Sequence, residues 1–381
     1  MEGFLYEKII NYILEEMQSG RLVKGSKIPT ESELMEQFGV SRITAKKALD
    51  ELADKKIIVR KRRLGSFIST DYDFDNPIIT DGDSDSRLLS GNSNLIGIIF
   101  PIDTAKGDMM YYIQGILEVV TAKGYYMVIS NSGRNPDNER ILLQKYISDN
   151  VKGIIYYPYS DHANYDLMIQ LSVQNYPIVT VDKYFTGVDI SHVVSDNFTG
   201  ELSVVNHLID NGHEKIAFFS DVAIDDKSSI RDRFNGYCTA LADHNIPIRQ
   251  NLIYTNIAKS LDIETDGIYL IVKSISSAIE QGVTAIACSS DGVALLVMEA
   301  CQSLGISIPD DLSLTGFDDL SDTQKFSIGL TTVHQNLYAI GKEAANILIK
   351  LIENKKGGKH NMIFPVSFIK RESVKNISRK P

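Results

Sequence analysis

The apolar positions of the chain follow two alternating periods from about residue 95 onward. Short apolar runs typical of strands cover 96–100, 126–130, 153–157, 178–181, 216–220, 284–288 and 312–316. Between them, apolar residues three and four positions apart predict amphipathic helices at 109–122, 138–148, 201–211, 233–244, 292–304 and 337–353. This alternation predicts βαβ units and parallel sheets, an α/β fold. So many strands suit two sheets, with a ligand cleft between them at the carboxyl ends of the strands.

The first 70 residues carry another pattern. A helical stripe at 4–19 contains Leu5, Ile9, Tyr12, Ile13 and Met17. The capping box of Thr30 and Glu33 predicts a second helix that starts at residue 31 and ends at Gly39, and Ser41 caps a third helix that runs to about residue 53. Strands at 57–60 and 66–69 flank a basic tip at 61–65. Together these elements predict a winged helix-turn-helix.

Charge divides the chain into three segments. Residues 1–70 contain thirteen Lys or Arg and ten Asp or Glu, whereas residues 71–90 contain six Asp and one Arg. The remaining residues are acidic, since the whole chain of 381 residues has a formal net charge of −10. We therefore expect a DNA-binding domain at 1–70, an acidic linker at 71–90, and a ligand-binding and dimerisation domain at 91–381.

The outward face of the third helix carries Arg42, Thr44, Lys46 and Lys47, and such a helix fits the major groove of DNA. Taken alone, the third helix has an alternative interpretation, in which its charged face contacts only solvent. The hairpin beside it adds the cations of its tip and favours DNA binding. The candidate DNA-contacting residues are Thr30, Ser41, Arg42, Thr44, Lys46, Lys47, Arg62, Arg63 and Gly65.

Residues 28–69, which include the run F-G-V-S-R-I-T-A-K-K-A-L, resemble the DNA-binding head of the gluconate-repressor (GntR) family. The resemblance implies that Arg42 and Thr44 contact bases or adjacent phosphates. Lys46 stands where the family usually has Arg, and it offers a point charge instead of a bidentate fork. At the tip of the wing, Arg63-Leu64-Gly65 replaces the usual Gly-x-Gly.

Other chemistries have no support in the sequence. It contains no phosphate-binding loop, dinucleotide fingerprint, hydrolase elbow or zinc-protease motif. The three cysteines suit reduced buried thiols, and the acidic linker does not have the spacing of a calcium loop. No signal peptide or long apolar span is present, so we expect a soluble cytoplasmic protein without cofactor or metal.

The body resembles the effector domain of the lactose/galactose-repressor family from about residue 95 to 373. The resemblance rests on S-D-N-F-T-G-E-L at 195–202, R-D-R-F-N-G-Y at 231–237 and L-T-G-F-D-D-L at 314–320. It implies the two-subdomain fold of periplasmic sugar-binding proteins. A GntR-type head on such a body resembles the arabinose-repressor group of regulators.

The same resemblance implies effector-binding residues. Arg233 occupies the position of the arginine that grips the effector, Asp318 resembles the carboxylate that binds sugar hydroxyls, and Asp182 is a further acceptor. Ser290 stands where many relatives have Asn, and Gln335 lies near the crossing between subdomains. Without the resemblance, Asp318 would be interpreted as a helix cap and Arg233 as a surface ion pair. The full set is Arg233, Asp318, Asp182, Ser290, Asp291, Gln335, Lys106, Asp108 and Tyr112.

These observations predict a homodimeric transcriptional repressor of carbohydrate-utilisation genes. It would bind a pseudo-palindromic operator in double-stranded DNA and be released by a small sugar, for which an arabinose-like sugar is the leading candidate. One alternative is a regulator whose ligand strengthens DNA binding. Two others belong to different classes: a sugar-binding protein without regulatory function, and an enzyme that acts on sugars. The sequence leaves the sugar and its phosphorylation open.

Overall fold

In the computed structural model, the described residues are 5–18, 21–54, 57–61, 64–69, 94–102, 108–257, 266–320, 328–353 and 359–378. The chain divides into two compact units, Met1–Gly91 and Asn92–Pro381. The predicted linker at 71–90 lies outside the described residues.

The first unit is a winged helix-turn-helix. Its helices are α1 Leu5–Gln18, α2 Glu31–Phe38 and α3 Arg42–Asp54, and its antiparallel strands are β1 Ile58–Lys61 and β2 Gly65–Ile68. The predicted capping box is confirmed: Thr30 Oγ1 accepts the N–H of Glu33, and Glu33 Oε2 accepts the N–H of Thr30. Ser41 Oγ likewise accepts the N–H of Thr44 at the start of α3. These bonds satisfy amides that a helix start leaves unpaired, so they fix where α2 and α3 begin.

The second unit contains two parallel sheets, as predicted. The six-stranded sheet has the order β13-β7-β6-β5-β3-β4. Its strands are β3 Leu95–Phe100, β4 Tyr126–Asn131, β5 Gly153–Tyr156, β6 Ile178–Val181, β7 Ser191–Ser195 and β13 Asn361–Phe364. The helices that accompany this sheet are α4 Met109–Ala122, α5 Pro136–Ser148, α6 Tyr165–Val173 and α11 Leu337–Glu353. We call this assembly the amino-terminal subdomain.

The four-stranded sheet has the order β11-β10-β8-β9 and defines the carboxyl-terminal subdomain. Its strands are β8 Ile216–Phe219, β9 Ile253–Tyr254, β10 Ala285–Cys288 and β11 Ser313–Thr315, and its helices are α7 Asn197–Asp210, α8 Ser228–Asp243, α9 Asp266–Glu280 and α10 Asp291–Leu304. An antiparallel ribbon of β12 Thr332–His334 and β14 Ser367–Ile369 joins it. The chain passes between the subdomains three times, after β7, β12 and β13.

Two helix starts differ from the sequence prediction by four or more residues. Helix α7 begins at Asn197, four residues before the predicted 201, because the Asp196 carboxylate accepts the N–H of Thr199 and caps it. Helix α8 begins at Ser228, so Arg233 lies within the helix and not at its start. The pattern also missed α6, α9, β7, β9 and the three strands after residue 330, most of which are short. None of the helices in the described part of the chain is long and apolar enough to cross a membrane.

Candidate functional sites

The amino-terminal end of α3 presents an exposed cationic face. The Arg42 side chain is 80 % exposed, and its Nε lies 3.4 Å from Oε2 of Glu31 on α2. The same glutamate lies 3.7 Å from Arg60 on β1, and Arg60 also pairs with Asp50 at 2.7 Å. Glu31 and Asp50 therefore hold Arg60 against the helices, whereas most of the Arg42 guanidinium remains available to a ligand.

Lys46 and Lys47 lie one turn further along the exposed face of α3. The ammonium of Lys47 lies 3.9 Å from the ring centroid of Tyr6 on α1, a cation–π contact that orients this side chain. Ile43, on the same face, is 82 % exposed. Ile43 was not among the predicted DNA-contacting residues, although it lies opposite the buried stripe of α3.

The remaining predicted DNA-contacting residues fall into three groups. The hydroxyls of Thr30, Ser41 and Thr44 take part in local bonds at helix starts; Ser41 Oγ lies 2.8 Å from Thr44 Oγ1. Gly65 has a φ of +110°, and Lys27 passes where a Cβ at this position would lie, which favours glycine here. Arg62 and Arg63 lie outside the described residues.

Arg233 is the centre of a polar cluster in the second unit. It is buried on α8, and Nε donates to Asn197 Oδ1 at 2.8 Å while Nη1 donates to the carbonyl of Ser289 at 2.6 Å. Nη2 lies 3.2 Å from Oδ1 of Asp318. The guanidinium also stacks 3.6 Å from the ring centroid of Phe317. Four partners thus fix the fork in one orientation.

Asp318 follows β11 with a φ of +121°, a backbone conformation that non-glycine residues rarely adopt. Its N–H donates to the carbonyl of Val333, and Gln335 Nε2 donates to Oδ1 at 2.7 Å. Burial raises the pKa of Asp318 to about 7, against the opposing effect of Arg233. The side chain is nevertheless 22 % exposed, so the carboxylate can reach a molecule in the cleft.

Asp182 approaches the cluster from the amino-terminal subdomain, at the carboxyl end of β6. Its Oδ2 lies 2.6 Å from Nζ of the buried Lys183, and the Tyr157 hydroxyl donates to the same carboxylate. Burial opposes ionisation, but Lys183, Arg233 and Tyr157 outweigh it and keep the pKa of Asp182 below its ordinary value. Asp182 is therefore an ionised acceptor at neutral pH.

Tyr112 on α4 adds an aromatic wall. It is buried and packs edge-to-face on Phe100 and Tyr157, with ring centroids 5.8 and 6.1 Å apart. Burial raises its pKa well above the ordinary value, and the charges of Asp182 and Asp318 raise it further. These electrostatic effects show that Tyr112, Asp182 and Asp318 face one region. The structure thus brings together five of the nine predicted effector residues: Arg233, Asp318, Asp182, Gln335 and Tyr112.

Ser290 and Asp291 make structural contacts at the start of α10. Ser290 Oγ accepts the N–H of Val293 as the N-cap of α10. Asp291 is fully buried and accepts the Thr332 hydroxyl at 2.6 Å and the N–H of Leu320 at 2.8 Å. Burial raises the pKa of Asp291 to about 6. The Ser290 side chain is thus used as a helix cap, and the Asp291 carboxylate holds the residues that follow Asp318.

Two predicted residues belong to the segment before α4. Asp108 directly precedes that helix, and Lys106 lies outside the described residues.

Two polar pairs that the sequence analysis missed join the subdomains. Arg231 on α8 donates to Oδ2 of the buried Asp161 at 3.0 Å. Tyr184, two residues after Asp182, donates its hydroxyl to Asp232 at 3.1 Å. We call Arg231–Asp161 and Tyr184–Asp232 the cross-cleft pairs. They link the amino-terminal subdomain to the helix that carries Arg233, so they hold the two walls of the cleft together.

Comparisons with known proteins agree with this architecture. Residues 5–68 match the model of the gntR family of bacterial regulatory proteins, and residues 205–374 match the periplasmic binding protein-like domain. The arabinose metabolism transcriptional repressor of Geobacillus stearothermophilus is 27 % identical over 378 residues, which cover 98 % of this chain and 97 % of that protein.

Two crystal structures share the fold. The transcription regulator CcpA of Lactococcus lactis superposes with a TM-score of 0.66 at 24 % identity, covering 74 % of this chain and 100 % of that one. A LacI family transcriptional regulator from Enterococcus faecium, with bound ribose, gives a TM-score of 0.62 at 22 % identity, covering 74 % and 100 %. The chain joins a gntR-type helix-turn-helix region to a periplasmic-binding-protein-like domain, it is homologous to arabinose metabolism transcriptional repressors, and its body has the fold of these two crystal structures.

Proposed function

We propose that this protein is a sequence-specific transcriptional repressor of carbohydrate-utilisation genes that a small sugar releases from DNA. The observation that carries the proposal is the cluster of Arg233, Asp318 and Asp182 at the boundary of two subdomains. A ligand held by both walls of a cleft changes their relative position, and this change can be transmitted to a DNA-binding region of the same chain.

The chemistry of the cluster suits a sugar. Neighbouring hydroxyls of a sugar can each accept from an arginine fork and donate to a carboxylate, and the apolar faces of the ring pack on aromatic side chains. Arg233, Asp182 and Tyr112 supply these three kinds of contact. Arabinose is the leading ligand, because a relative whose alignment covers 98 % of this chain is named for arabinose metabolism. The reverse direction, in which the sugar strengthens DNA binding, is the alternative.

We further propose a homodimer that binds a pseudo-palindromic operator. One head presents few cations to phosphates, so joining two heads makes the second contact effectively intramolecular. Exposed apolar side chains on α4 and on the edge strand β4 support a dimer interface on the body: Met110, Leu117, Tyr126 and Ile129. Such a regulator works in the cytoplasm, where bacterial DNA lies, and we assign it no enzymatic activity.

The test couples both activities in one titration. The full-length protein selects its operator from a random duplex library, and L-arabinose, D-ribose, D-xylose and their phosphates are then added to the complex. We expect one neutral sugar to release the DNA, with D-arabinose as the stereochemical control for L-arabinose. Tighter binding on sugar addition would establish the alternative direction. Failure to select any sequence would overturn the assignment as a DNA-binding regulator.

The oligomeric state and the absence of enzymatic activity need separate measurements. Sedimentation of the full chain at micromolar concentration should give a dimer, and a monomer would contradict the proposed interface. Incubation with each sugar that binds should leave the sugar unchanged, as judged by chromatography. Turnover of any of them would establish the protein as an enzyme.

A further inference from the structure

The most exposed large apolar side chain among the described residues lies on the helix that we propose enters the major groove. Ile43 is 82 % exposed. It lies on the face of α3 opposite the buried positions Ala45, Ala48 and Leu49. A single exposed apolar side chain is ordinary on a protein surface, so exposure alone assigns no role to it. Its neighbours give it one.

Ile43 is surrounded by cations on one side of α3. Lys46 and Lys47 follow it by three and four residues and are exposed on the same face. Arg42 precedes it. Asp50, the next position on this face, pairs with Arg60, so the cationic part of the face is confined to the first turns of α3. The first turns of such a helix are the part that contacts base edges.

We propose that Ile43 packs against the 5-methyl group of a thymine in the operator and thereby selects a T·A pair. This proposal rests on the proposed function. In the major groove, the methyl group of thymine is the one apolar group that distinguishes the four base pairs. An isoleucine side chain neither donates nor accepts hydrogen bonds, so contact with this methyl is the readout its chemistry permits. Lysines that contact phosphates would fix the register of the helix.

The shape of the side chain also fits this role. A β-branched residue in a helix has one strongly preferred χ1 rotamer, so Ile43 loses little side-chain freedom when it meets the base. Burial of one methyl group corresponds to about 0.8 kcal/mol, or about four-fold in affinity. If both half-sites of an operator lose this methyl group, the affinity of a dimer for the operator should fall by about 15-fold.

The experiment removes the methyl group from the DNA and the side chain from the protein. In the operator selected by the full chain, each thymine is replaced in turn by deoxyuridine, which lacks only the 5-methyl group. For the unsubstituted protein, we expect a loss of about four-fold at one position of each half-site. Ile43→Ala should lose affinity for the thymine operator but show no uridine effect at that position. Ile43→Val should keep most of the effect.

Ile279→Ala provides the matched control, because Ile279 is a partly exposed isoleucine on α9 of the body. It should leave every uridine effect unchanged. If Ile43→Ala keeps the same uridine profile as the unsubstituted protein, the methyl contact is wrong while DNA binding stands. If no thymine responds to replacement, the contact is wrong as well. If the unsubstituted chain selects no sequence at all, the proposed function fails, and this inference fails with it.

Discussion

Arg233 and Asp318 form an ion pair, with Nη2 3.2 Å from Oδ1, at the boundary of the two subdomains. Asn197 and the carbonyl of Ser289 hold the guanidinium, and Gln335 holds the carboxylate. A sugar bound as proposed would therefore meet groups that are already oriented, which lowers the entropic cost of binding. The same bonds mean that removal of either side chain leaves buried partners unsatisfied.

Substitution of Arg233 should separate sensing from DNA binding. Arg233→Lys keeps a positive charge but removes the fork, so we expect sugar affinity to fall by about 1.5–3 kcal/mol, roughly 10- to 150-fold. Operator affinity without sugar should change little. Sugar titration of the operator complex measures both. Release of DNA at the original sugar concentration would exclude Arg233 from the sensor.

Sugar affinity should depend on pH through Asp318. Its carboxyl has a pKa of about 7, so the ionised acceptor is the minor form at pH 6 and the major form at pH 8. If the sugar hydroxyls donate to the carboxylate, affinity should rise by up to about ten-fold between these values. Asp318→Asn should bind more weakly and show no such rise. Calorimetric titrations at pH 6, 7 and 8 are the measurement, and an equally steep rise in Asp318→Asn would assign the effect to another group.

The cross-cleft pairs should contribute to sugar affinity from a distance. Arg231→Ala leaves the buried carboxylate of Asp161 without its guanidinium. The free energy that favours a closed cleft over an open one should therefore fall by about 1–3 kcal/mol. Sugar should then bind more weakly, although Arg231 is not among the proposed sugar contacts. Arg140→Ala is the control, because Arg140 pairs with Asp166 on the surface of one subdomain. Equal sugar affinities in the two variants would contradict a closing role for Arg231.

Glu201 should make the stability of the body pH-dependent. This carboxyl on α7 is fully buried, and neither oxygen has a hydrogen-bond partner among the described residues. Burial raises its pKa from 4.5 to about 8. Because the unfolded chain ionises first, stability falls as pH rises from about 4.5 to 8, with a cost of roughly 3 kcal/mol at pH 7.

Glu201→Gln removes this ionisation from both states. The variant should unfold at a higher temperature than the unsubstituted protein at pH 8, and the two melting temperatures should converge near pH 5. Thermal unfolding across this range measures the difference. If the difference between the two melting temperatures were the same at every pH, Glu201 would be ionised in the folded protein.

Arg42 and Lys46 should contribute differently to operator binding. Arg42→Ala should cost roughly 1–3 kcal/mol and relax the base preference at one position, as expected for a base contact. Lys46→Ala should weaken binding to all sequences and lower the slope of log affinity against log salt by about one unit. Arg249→Ala, at an exposed position on the body, is the control. Salt titrations on operator and random duplex separate the two roles, and identical profiles for both variants would contradict this division.

The sequence by itself determined the features that depend on neighbours a few positions apart. The capping box of Thr30 and Glu33 joins residues three positions apart, so its pattern is visible along the chain and marks the start of α2. The alternation of apolar runs likewise predicted two parallel sheets, because a strand and the helix that covers it follow each other in sequence. Resemblance to known families added Arg233 and Asp318 as candidates.

Only the tertiary structure decided what those candidates contact. Asp182, Arg233 and Asp318 are far apart in sequence, and they meet because the order of strands in two sheets brings the ends of β6 and β11 to the same cleft as α8. Ser290 was predicted to bind the effector, but in the structure its hydroxyl accepts the N–H of Val293 and caps α10. A hydrogen bond depends on which groups lie within about 3 Å, and a pKa on how far water is excluded. Both are set by chain packing, which local sequence patterns do not encode.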